Sequence, residues 1–210
     1  MMRALLFCGD RYHPAEIPIA GVAPLKNKGV SIDVITDAAG FDPQLIFDYD
    51  VLVMSKCDHV SATDTTSWKS GAVQDAIIKY VEKGGGLLVT HSGTVCGEDT
   101  GKLDSLKGCR FVSHPAASPV TVGAVKPHPV TEGVGVFCET DEQYRLEILA
   151  DDVEILAASY SEGYIAPCVY VRTRGMGRVC VLTPGHFAEV WGNMEFQKML
   201  MNALSWCSCI

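Results

Sequence analysis

An apolar run between three glycines and a histidine-containing turn constrains the fold of this chain most strongly. Leu87–Thr90 follows Gly84–Gly86 and precedes His91-Ser92-Gly93. The first glycine can adopt the left-handed conformation that ends a helix, and a brief apolar run between turn signals predicts a buried parallel strand. Ligands of open α/β sheets bind outside the carboxyl ends of the strands. The turn after this strand is therefore the first place to look for chemistry.

The segments before this run alternate between strand and helix patterns. Short strands are predicted at Arg3–Cys8, Val30–Ile35 and Tyr49–Met54. A helix is predicted over Ser70–Lys83, with apolar residues on one face and polar residues, Gln74 among them, on the other. Such alternation is typical of a parallel sheet covered by helices, so the predicted fold class is α/β.

The texture changes after Gly108, where short β-prone runs follow one another with Gly and Pro between them. These runs predict mixed or antiparallel β extensions, and they are Cys109–Val112, Pro119–Ala124, Val134–Cys138, Val153–Ser159, Cys168–Arg172 and Arg178–Thr183. A last amphipathic helix is predicted from about Asn193. Without a repeat or a linker, residues 1–210 are predicted to form a single domain.

Charge and cysteine usage exclude several classes of protein. The net charge is −8 and Lys and Arg form no cluster, which argues against nucleic acid and anionic membranes as partners. The apolar run Ala4–Cys8 is too short for a signal-peptide core or a membrane span. Nine scattered cysteines are typical of reduced thiols, and a cytoplasmic protein is expected. The oligomeric state stays open, a homo-oligomer included.

Three of the six histidines follow predicted strands. His13, His91 and His186 lie at strand carboxyl ends, whereas His114 and His128 each precede a proline in a loop. Because parallel strands end at the same edge of a sheet, the first three are expected to converge. The alternative is that they are ordinary surface or locally hydrogen-bonded histidines.

Asp141-Glu142-Gln143-Tyr144 is a second constellation. Two adjacent carboxylates beside a tyrosine can supply a general base, a metal ligand or an acceptor for sugar hydroxyl groups. The alternative is a solvated turn in which one carboxylate pairs with Arg145.

Metal binding and nucleophilic catalysis both remain open. Zinc needs about three ligands, and no local spacing such as His-x-His occurs, so the fold would have to assemble any site. The candidate nucleophiles are Ser92, with His186 as its base, and Cys96. A nucleophile needs such an adjacent base at neutral pH.

The order of motifs resembles the ThuA-like (trehalose utilisation) family over nearly the whole chain. The motifs are Tyr80-Val81-Glu82-x-Gly84-Gly85-Gly86-Leu87 before His91-Ser92, Leu106-x-Gly108-Cys109-x-Phe111 with His114-Pro115, His128-Pro129-Val130-Thr131, Asp141-Glu142-x-Tyr144, Gly177-Arg178-Val179 with Gly185-His186, and Trp206. The loop with His13 is also where that family tends to carry a histidine.

The resemblance implies a three-layer α/β/α sandwich with a flavodoxin-like, mostly parallel sheet, as in class I glutamine amidotransferases. Those enzymes keep a nucleophilic cysteine at the turn after the central strand, where this chain has His91, and a late histidine that matches His186. Glutaminase activity by that mechanism is therefore not expected. In Thr94–Lys107 the sequence departs from the family pattern, because Cys96, Glu98 and Asp99 replace a stretch that is often richer in aromatic residues.

The resemblance further implies a carbohydrate ligand, a sugar or keto-sugar derivative. The leading hypothesis is an enzyme that uses acid–base or metal-assisted chemistry next to a carbonyl group. Its predicted catalytic residues are His91, Ser92, Glu142 and His186. Its predicted substrate-binding residues are His13, Tyr144, Asp141 and His114, and a divalent metal such as zinc would be held by His91, His128 and His186. The alternatives are a non-catalytic sugar-binding or complex-forming protein and a hydrolase with Ser92 as nucleophile and His186 as base.

Overall fold

A nine-stranded sheet runs through the molecule and positions most of the predicted functional residues. The computed structural model describes residues 1–97 and 100–208, so Glu98 and Asp99 lie outside the described residues. The strands are β1 (Met2–Cys8), β2 (Val30–Ile35), β3 (Val51–Ser55), β4 (Gly86–Thr90), β5 (Cys109–Ser113), β6 (Ser118–Ala124), β7 (Phe137–Asp141), β8 (Arg145–Ile148), β9 (Glu154–Ser161), β10 (Tyr164–Arg174) and β11 (Gly177–Leu182). The helices are α1 (Glu16–Val22), α2 (Gly71–Glu82), α3 (Gly101–Lys107), α4 (Ala188–Gly192) and α5 (Met194–Cys207).

The sheet has a parallel half and an antiparallel half. Its strand order is β2-β1-β3-β4-β11-β10-β9-β6-β7, and β5 pairs with β8 in a separate two-stranded sheet. The first five strands in this order are parallel, and the last four alternate in direction from β11 onward. The predicted α/β fold with β extensions in the C-terminal half is confirmed.

Helices cover both faces of the sheet because the strand residues alternate between two apolar cores. In β1, Ala4 and Leu6 pack into the core formed with α1, α4 and α5. Leu5 and Phe7, which point the other way, pack into the core formed with α2 and α3. This alternation produces the three-layer α/β/α arrangement.

The predicted helix over 70–83 is confirmed as α2, and Ser70 Oγ caps it by accepting a hydrogen bond from the Val73 N–H at 3.4 Å. Gln74 was predicted to lie on the polar face of this helix. It is instead buried, and its Nε2 donates to the Lys69 carbonyl at 2.9 Å. A predicted strand over 134–138 is displaced toward β7, since the Val134 N–H instead closes a turn on the Thr131 carbonyl. The short elements α3 and β8 were not predicted.

Strand direction in the antiparallel half decides which loops reach which edge. Because β6 runs opposite to the parallel strands, the loop after it lies at the edge where those strands begin. The next strand, β7, runs back and delivers Asp141 to the edge where β1, β4 and β11 end. Within the described residues, no helix combines the length and apolar character needed to cross a bilayer.

Candidate functional site

The turn after β4 holds His91 in an unusual backbone conformation. Its φ is 39°, a positive value that non-glycine residues rarely adopt. The turn also passes so close to β3 that a Cβ atom on Gly93 would lie 1.9 Å from the Met54 carbonyl oxygen. Thr94 Oγ1 closes the turn by donating to the His91 carbonyl at 2.7 Å. Strained conformations of this kind persist where the surroundings enforce them and cluster at functional sites.

His91 and His186 lie in direct contact, as their positions after β4 and β11 predict. His91 Nε2 is 3.3 Å from His186 Nδ1. The other ring nitrogen, His91 Nδ1, donates to the Thr183 carbonyl at 2.8 Å. Since a carbonyl only accepts, Nδ1 carries the proton, and in the neutral ring Nε2 presents a lone pair. Burial lowers the pKa of His91, which favours that neutral form.

Glu142 joins the two imidazoles from the loop after β7. Its Oε2 lies 3.1 Å from His186 Nδ1 and 3.5 Å from His91 Nε2, and its Oε1 lies 3.5 Å from His114 Nδ1. Burial opposes ionisation of Glu142, but the hydrogen bonds with His186 and His91 outweigh it and hold the pKa well below its ordinary value. The same hydrogen bond raises the pKa of His186. Glu142 is therefore an anion at neutral pH.

Asp141 positions the loop that carries His186. Its side chain is buried, and its two oxygens accept hydrogen bonds from the backbone N–H groups of Gly185 at 2.9 Å and His186 at 3.0 Å. The alternative of a solvated turn does not fit the buried Asp141, and among the described residues Arg145 lies over the Tyr164 ring and forms no ion pair with a carboxylate. The contact of Asp141 with substrate stays a prediction, and each of its oxygens already accepts one hydrogen bond from a backbone N–H group.

His13 reaches the same cluster from the loop after β1. Its ring centroid is 5.1 Å from that of His91 and 5.0 Å from that of His186. Asp10 Oδ1 lies 2.7 Å from His13 Nδ1, and Asp10 also accepts from the Cys57 N–H at 3.0 Å. Burial raises the pKa of Asp10, but its hydrogen bonds with His13 and the backbone outweigh this and hold the pKa below its ordinary value.

Asp10 was not among the predicted site residues. The available signal was an acidic residue directly after a strand and three positions before a histidine, a spacing that lets one carboxylate hold both the turn and the ring. His59, near which no other candidate stands in the sequence, also lines the site.

Four side chains of the cluster fit a divalent cation. The ligand atoms of His13, His91, Glu142 and His186 all lie within 4.8 Å of one another. The three distances measured among His91, Glu142 and His186 are 3.1, 3.3 and 3.5 Å. A tetrahedron with bonds of about 2.0–2.1 Å to zinc has edges of about 3.3–3.4 Å, which these distances match.

Two further observations support a cation at this point. His13 Nε2 is buried and has no hydrogen-bond partner among the residues that the structure describes, while its Nδ1 is held by Asp10. Metal-bound histidines characteristically donate their second ring nitrogen to a carboxylate or a backbone carbonyl, as His13 and His91 do here. The acceptor nitrogens that remain therefore point at one another.

A cavity of about 430 Å³ opens above this cluster. Its polar base contains Glu142 and His186, and the remaining lining residues are Tyr12, His13, Cys57, Asp58, His59, Val95, Phe111, His114 and Tyr144. The Tyr144 ring lies 4.1 Å from the His91 ring between centroids. Burial, aided by nearby carboxylates, raises the pKa of Tyr144, so its phenol keeps the proton.

Outside this cluster and its cavity lie two further predicted residues, His128 and Ser92. His128 caps a turn by accepting from the Val130 N–H at 3.1 Å, and its ring lies 5.5 Å from that of Trp206 between centroids. The predicted metal role of His128 is corrected, because the direction of β6 sends it to the opposite edge of the sheet. Ser92 is buried, and among the described residues the hydrogen-bond partners of the His186 ring are His91 and Glu142, not Ser92.

The sheet defines an α/β protein, and the cluster at the carboxyl ends of its strands is the candidate ligand site. A family model described as ThuA, trehalose utilisation, matches residues 3–207, and the chain belongs to this family. The resemblance noted in the sequence is thereby confirmed. No match was found among curated proteins.

Solved structures share the fold at low sequence identity. A protein of Bacteroides uniformis described as ThuA-like is 22% identical, with a TM-score of 0.77 over 98% of this chain and 91% of that chain. One of Parabacteroides merdae, described in the same way, is 17% identical, with a TM-score of 0.77 over 99% and 90%. A β-galactosidase of Rahnella sp. R3 is 17% identical, with a TM-score of 0.70 over 98% of this chain but 31% of that chain. At these identities the similarity concerns the fold alone.

Proposed function

We propose that the protein is a carbohydrate-processing enzyme whose cluster of His13, His91, Glu142 and His186 binds a divalent cation, with zinc as the best fit. It acts on a sugar or keto-sugar derivative held in the cavity above that cluster. It has no glutaminase activity, because an imidazole occupies the turn position at which the amidotransferases keep a thiol.

The convergence of four ligand atoms within 4.8 Å is the observation that carries this proposal. Three imidazoles beside one carboxylate suit zinc better than magnesium or calcium, which prefer oxygen ligands. Such an ion polarises a carbonyl or hydroxyl oxygen of the substrate. Cation binding also displaces the proton that Glu142 holds on His186, so a proton is expected to leave the protein on binding.

The chain itself supplies binding and orientation. Tyr12, Phe111 and Tyr144 offer aromatic surface to a sugar ring, and Asp58 and His114 offer polar atoms to its hydroxyl groups. The cavity volume of about 430 Å³ lies in the range typical of small-molecule sites. The family description, trehalose utilisation, supports a carbohydrate as the ligand.

The first test is cation binding. Untagged protein is freed of metal with a chelator and titrated with Zn²⁺ and with Co²⁺, whose visible absorption reports tetrahedral coordination. We expect one ion per chain in the wild-type protein and none in His91→Asn. His128→Asn is the matched control and should bind as the wild type does. A wild-type protein that binds no ion at micromolar concentration would contradict the proposed site.

The second test is turnover. The zinc-loaded protein is incubated with disaccharides and with their oxidised keto derivatives, and products are followed by mass spectrometry, with glutamine as a negative substrate. Cleavage or modification that Glu142→Gln abolishes supports an enzyme. Saturable sugar binding without any product would favour the non-catalytic alternative. Turnover that Ser92→Ala abolishes and that does not require the cation would favour the serine hydrolase.

A further inference from the structure

Two buried lysines converge on Cys96, just outside the histidine cluster. Lys107 Nζ lies 3.0 Å from Cys96 Sγ, and Lys69 Nζ lies 4.0 Å from the same sulfur on another side. Both lysine side chains are almost completely buried, whereas Cys96 is partly exposed. Cys96 is therefore partly accessible to solvent, while its sulfur contacts two ammonium groups within the protein.

Among the described residues, the two lysines differ in their carboxylate partners, because Lys107 has one and Lys69 has none. Lys107 donates to the Thr94 carbonyl at 2.7 Å and pairs with Asp104 at 3.2 Å. Asp104 also faces Arg110 at 3.6 Å, and Arg110 pairs in addition with Glu147 at 3.6 Å. Among the described residues, Cys96 Sγ is the one hydrogen-bonding partner of Lys69 Nζ. A buried ammonium group without an anionic partner is costly, and an anionic sulfur would relieve that cost.

The lysines respond to this arrangement in opposite ways. Burial lowers the pKa of Lys69, and the nearby Cys96 counteracts that shift only in part. Burial also acts against the charge on Lys107, but Cys96, Cys109 and Asp104 outweigh it and raise the pKa. Lys107 is therefore a lasting positive charge beside the sulfur. Thiols next to such charges are the reactive ones in proteins.

We propose that Cys96 is a modification site that reacts with small peroxides, with Lys107 and Lys69 stabilising the anionic sulfur before and after the reaction. Val95, the preceding residue, lines the histidine cavity, and Gly97 packs against the Asp58 carboxylate, which also lines it. The modified sulfur would therefore lie beside the cavity mouth. The proposal does not depend on what the histidine cluster binds.

The reaction with hydrogen peroxide balances without a cofactor. The thiolate sulfur forms a bond to one peroxide oxygen while the O–O bond breaks. Sulfur is oxidised by two electrons, and the thiolate and hydrogen peroxide give a sulfenate and water. A small thiol can then reverse the modification through a mixed disulfide.

Cys138 provides an internal comparison, because it is exposed and no lysine contacts it among the described residues. The Cys209→Ser protein is treated with dilute hydrogen peroxide at pH 7 in the presence of a sulfenic-acid trap. Each cysteine-containing peptide is then quantified by mass spectrometry. We expect Cys96 to be trapped at least about tenfold faster than the more exposed Cys138. Equal trapping of the two residues, or faster trapping of Cys138, would overturn the proposal.

Variants of the lysines test the cause. Lys107→Met is expected to slow trapping of Cys96 about tenfold and to leave Cys138 unchanged. Lys102→Met is the matched control, because Lys102 lies on the same helix but is exposed and pairs with Asp75. Unchanged trapping of Cys96 in a folded Lys107→Met or Lys69→Met protein would refute the role of the lysines. The comparison of Cys96 with Cys138 needs neither lysine variant and decides the case even if both lysine replacements prevent folding.

Discussion

The two edges of the parallel sheet carry similar residues and use them differently. At the carboxyl edge, His13, His91 and His186 each direct one ring nitrogen toward the others and toward Glu142. At the opposite edge, His128 Nδ1 accepts the hydrogen bond that caps a short turn, and the His128 ring packs on Trp206. A histidine of the cluster therefore differs from a structural histidine such as His128 in one respect. In the structural histidine, a local backbone N–H group occupies the lone pair of the ring nitrogen.

The largest expected effect concerns the turn that supports the carboxyl edge. Gly93→Ala places a methyl group 1.9 Å from the Met54 carbonyl oxygen, a contact that forces the turn away from β3. We expect urea unfolding to show a loss of more than about 3 kcal/mol in the free energy of unfolding. At the opposite edge, Gly133→Ala meets no atom within 4 Å and carries only the strain of a φ of 66°. It should cost about 1–2 kcal/mol, and equal losses at the two positions would contradict this difference.

The next effect distinguishes the edges by cation binding. Glu142→Gln keeps the shape of the side chain but removes the negative charge that faces His91 and His186. Zn²⁺ affinity measured by calorimetry should fall at least about 100-fold, since a direct ligand matters more than the outer partners, whose loss costs 10–100-fold. Glu154→Gln, near His128, is the control and should not change the affinity.

A smaller loss of Zn²⁺ affinity is expected from replacing Asp10, which acts through His13. Asp10→Asn leaves His13 in place but replaces the carboxylate that holds its Nδ1 at 2.7 Å. We expect a 10–100-fold decrease in Zn²⁺ affinity, together with a smaller pH dependence of binding. Wild-type affinity in this variant would mean that His13 is not a ligand.

The metal-free protein should also become less stable in acid because of Asp10. Its folded-state pKa lies below the unfolded value, so its contribution is fully present above the unfolded pKa of about 4 and is lost as pH falls through the folded pKa. Between pH 6 and pH 3, measured with chelator present, the wild type should lose about 1 kcal/mol more stability than Asp10→Asn. Parallel curves for the two proteins would count against the hydrogen bonds assigned to Asp10.

The smallest effect is expected at the opposite edge. His128→Ala removes one cap hydrogen bond of 3.1 Å and a ring contact with Trp206. The free energy of unfolding should fall by about 0.5–1 kcal/mol, with Zn²⁺ affinity unchanged. A loss of cation binding in this variant would instead indicate that His128 is a ligand, contrary to its position at the opposite edge.

The sequence was sufficient for the convergence of the first three histidines. Each follows an apolar run that reads as a parallel strand, and parallel strands end together, so the 3.3 Å contact of His91 and His186 follows from topology. The α2 helix was equally predictable, because its apolar residues repeat with helical spacing and Ser70 marks its start. Gln74 escaped this reasoning because a local hydrogen bond to the Lys69 carbonyl lets a polar side chain be buried.

The remaining features depend on strand direction and on contacts between distant segments. Nothing in the β-prone runs after Gly108 tells which of them run antiparallel, so the position of His128 could not be inferred from its loop. Asp141 and Glu142 are adjacent in sequence, yet one holds backbone N–H groups and the other faces imidazoles. Period-two alternation places neighbouring side chains on opposite sides but does not say which side is the cavity. The α3 helix was missed because it is only seven residues long and shows two apolar positions, Leu103 and Leu106.

The hydrogen bonds from Gly185 and His186 to Asp141 tie the last parallel strand to the far margin of the antiparallel half. No fragment taken from either half of the polypeptide can reproduce this arrangement, since its members are drawn from both. Partial melting that peels β7 away would dismantle the histidine cluster while leaving the core under β1 and β4 intact. On warming, ligand binding should therefore be lost before the main calorimetric transition. This early loss would report the local opening of β7.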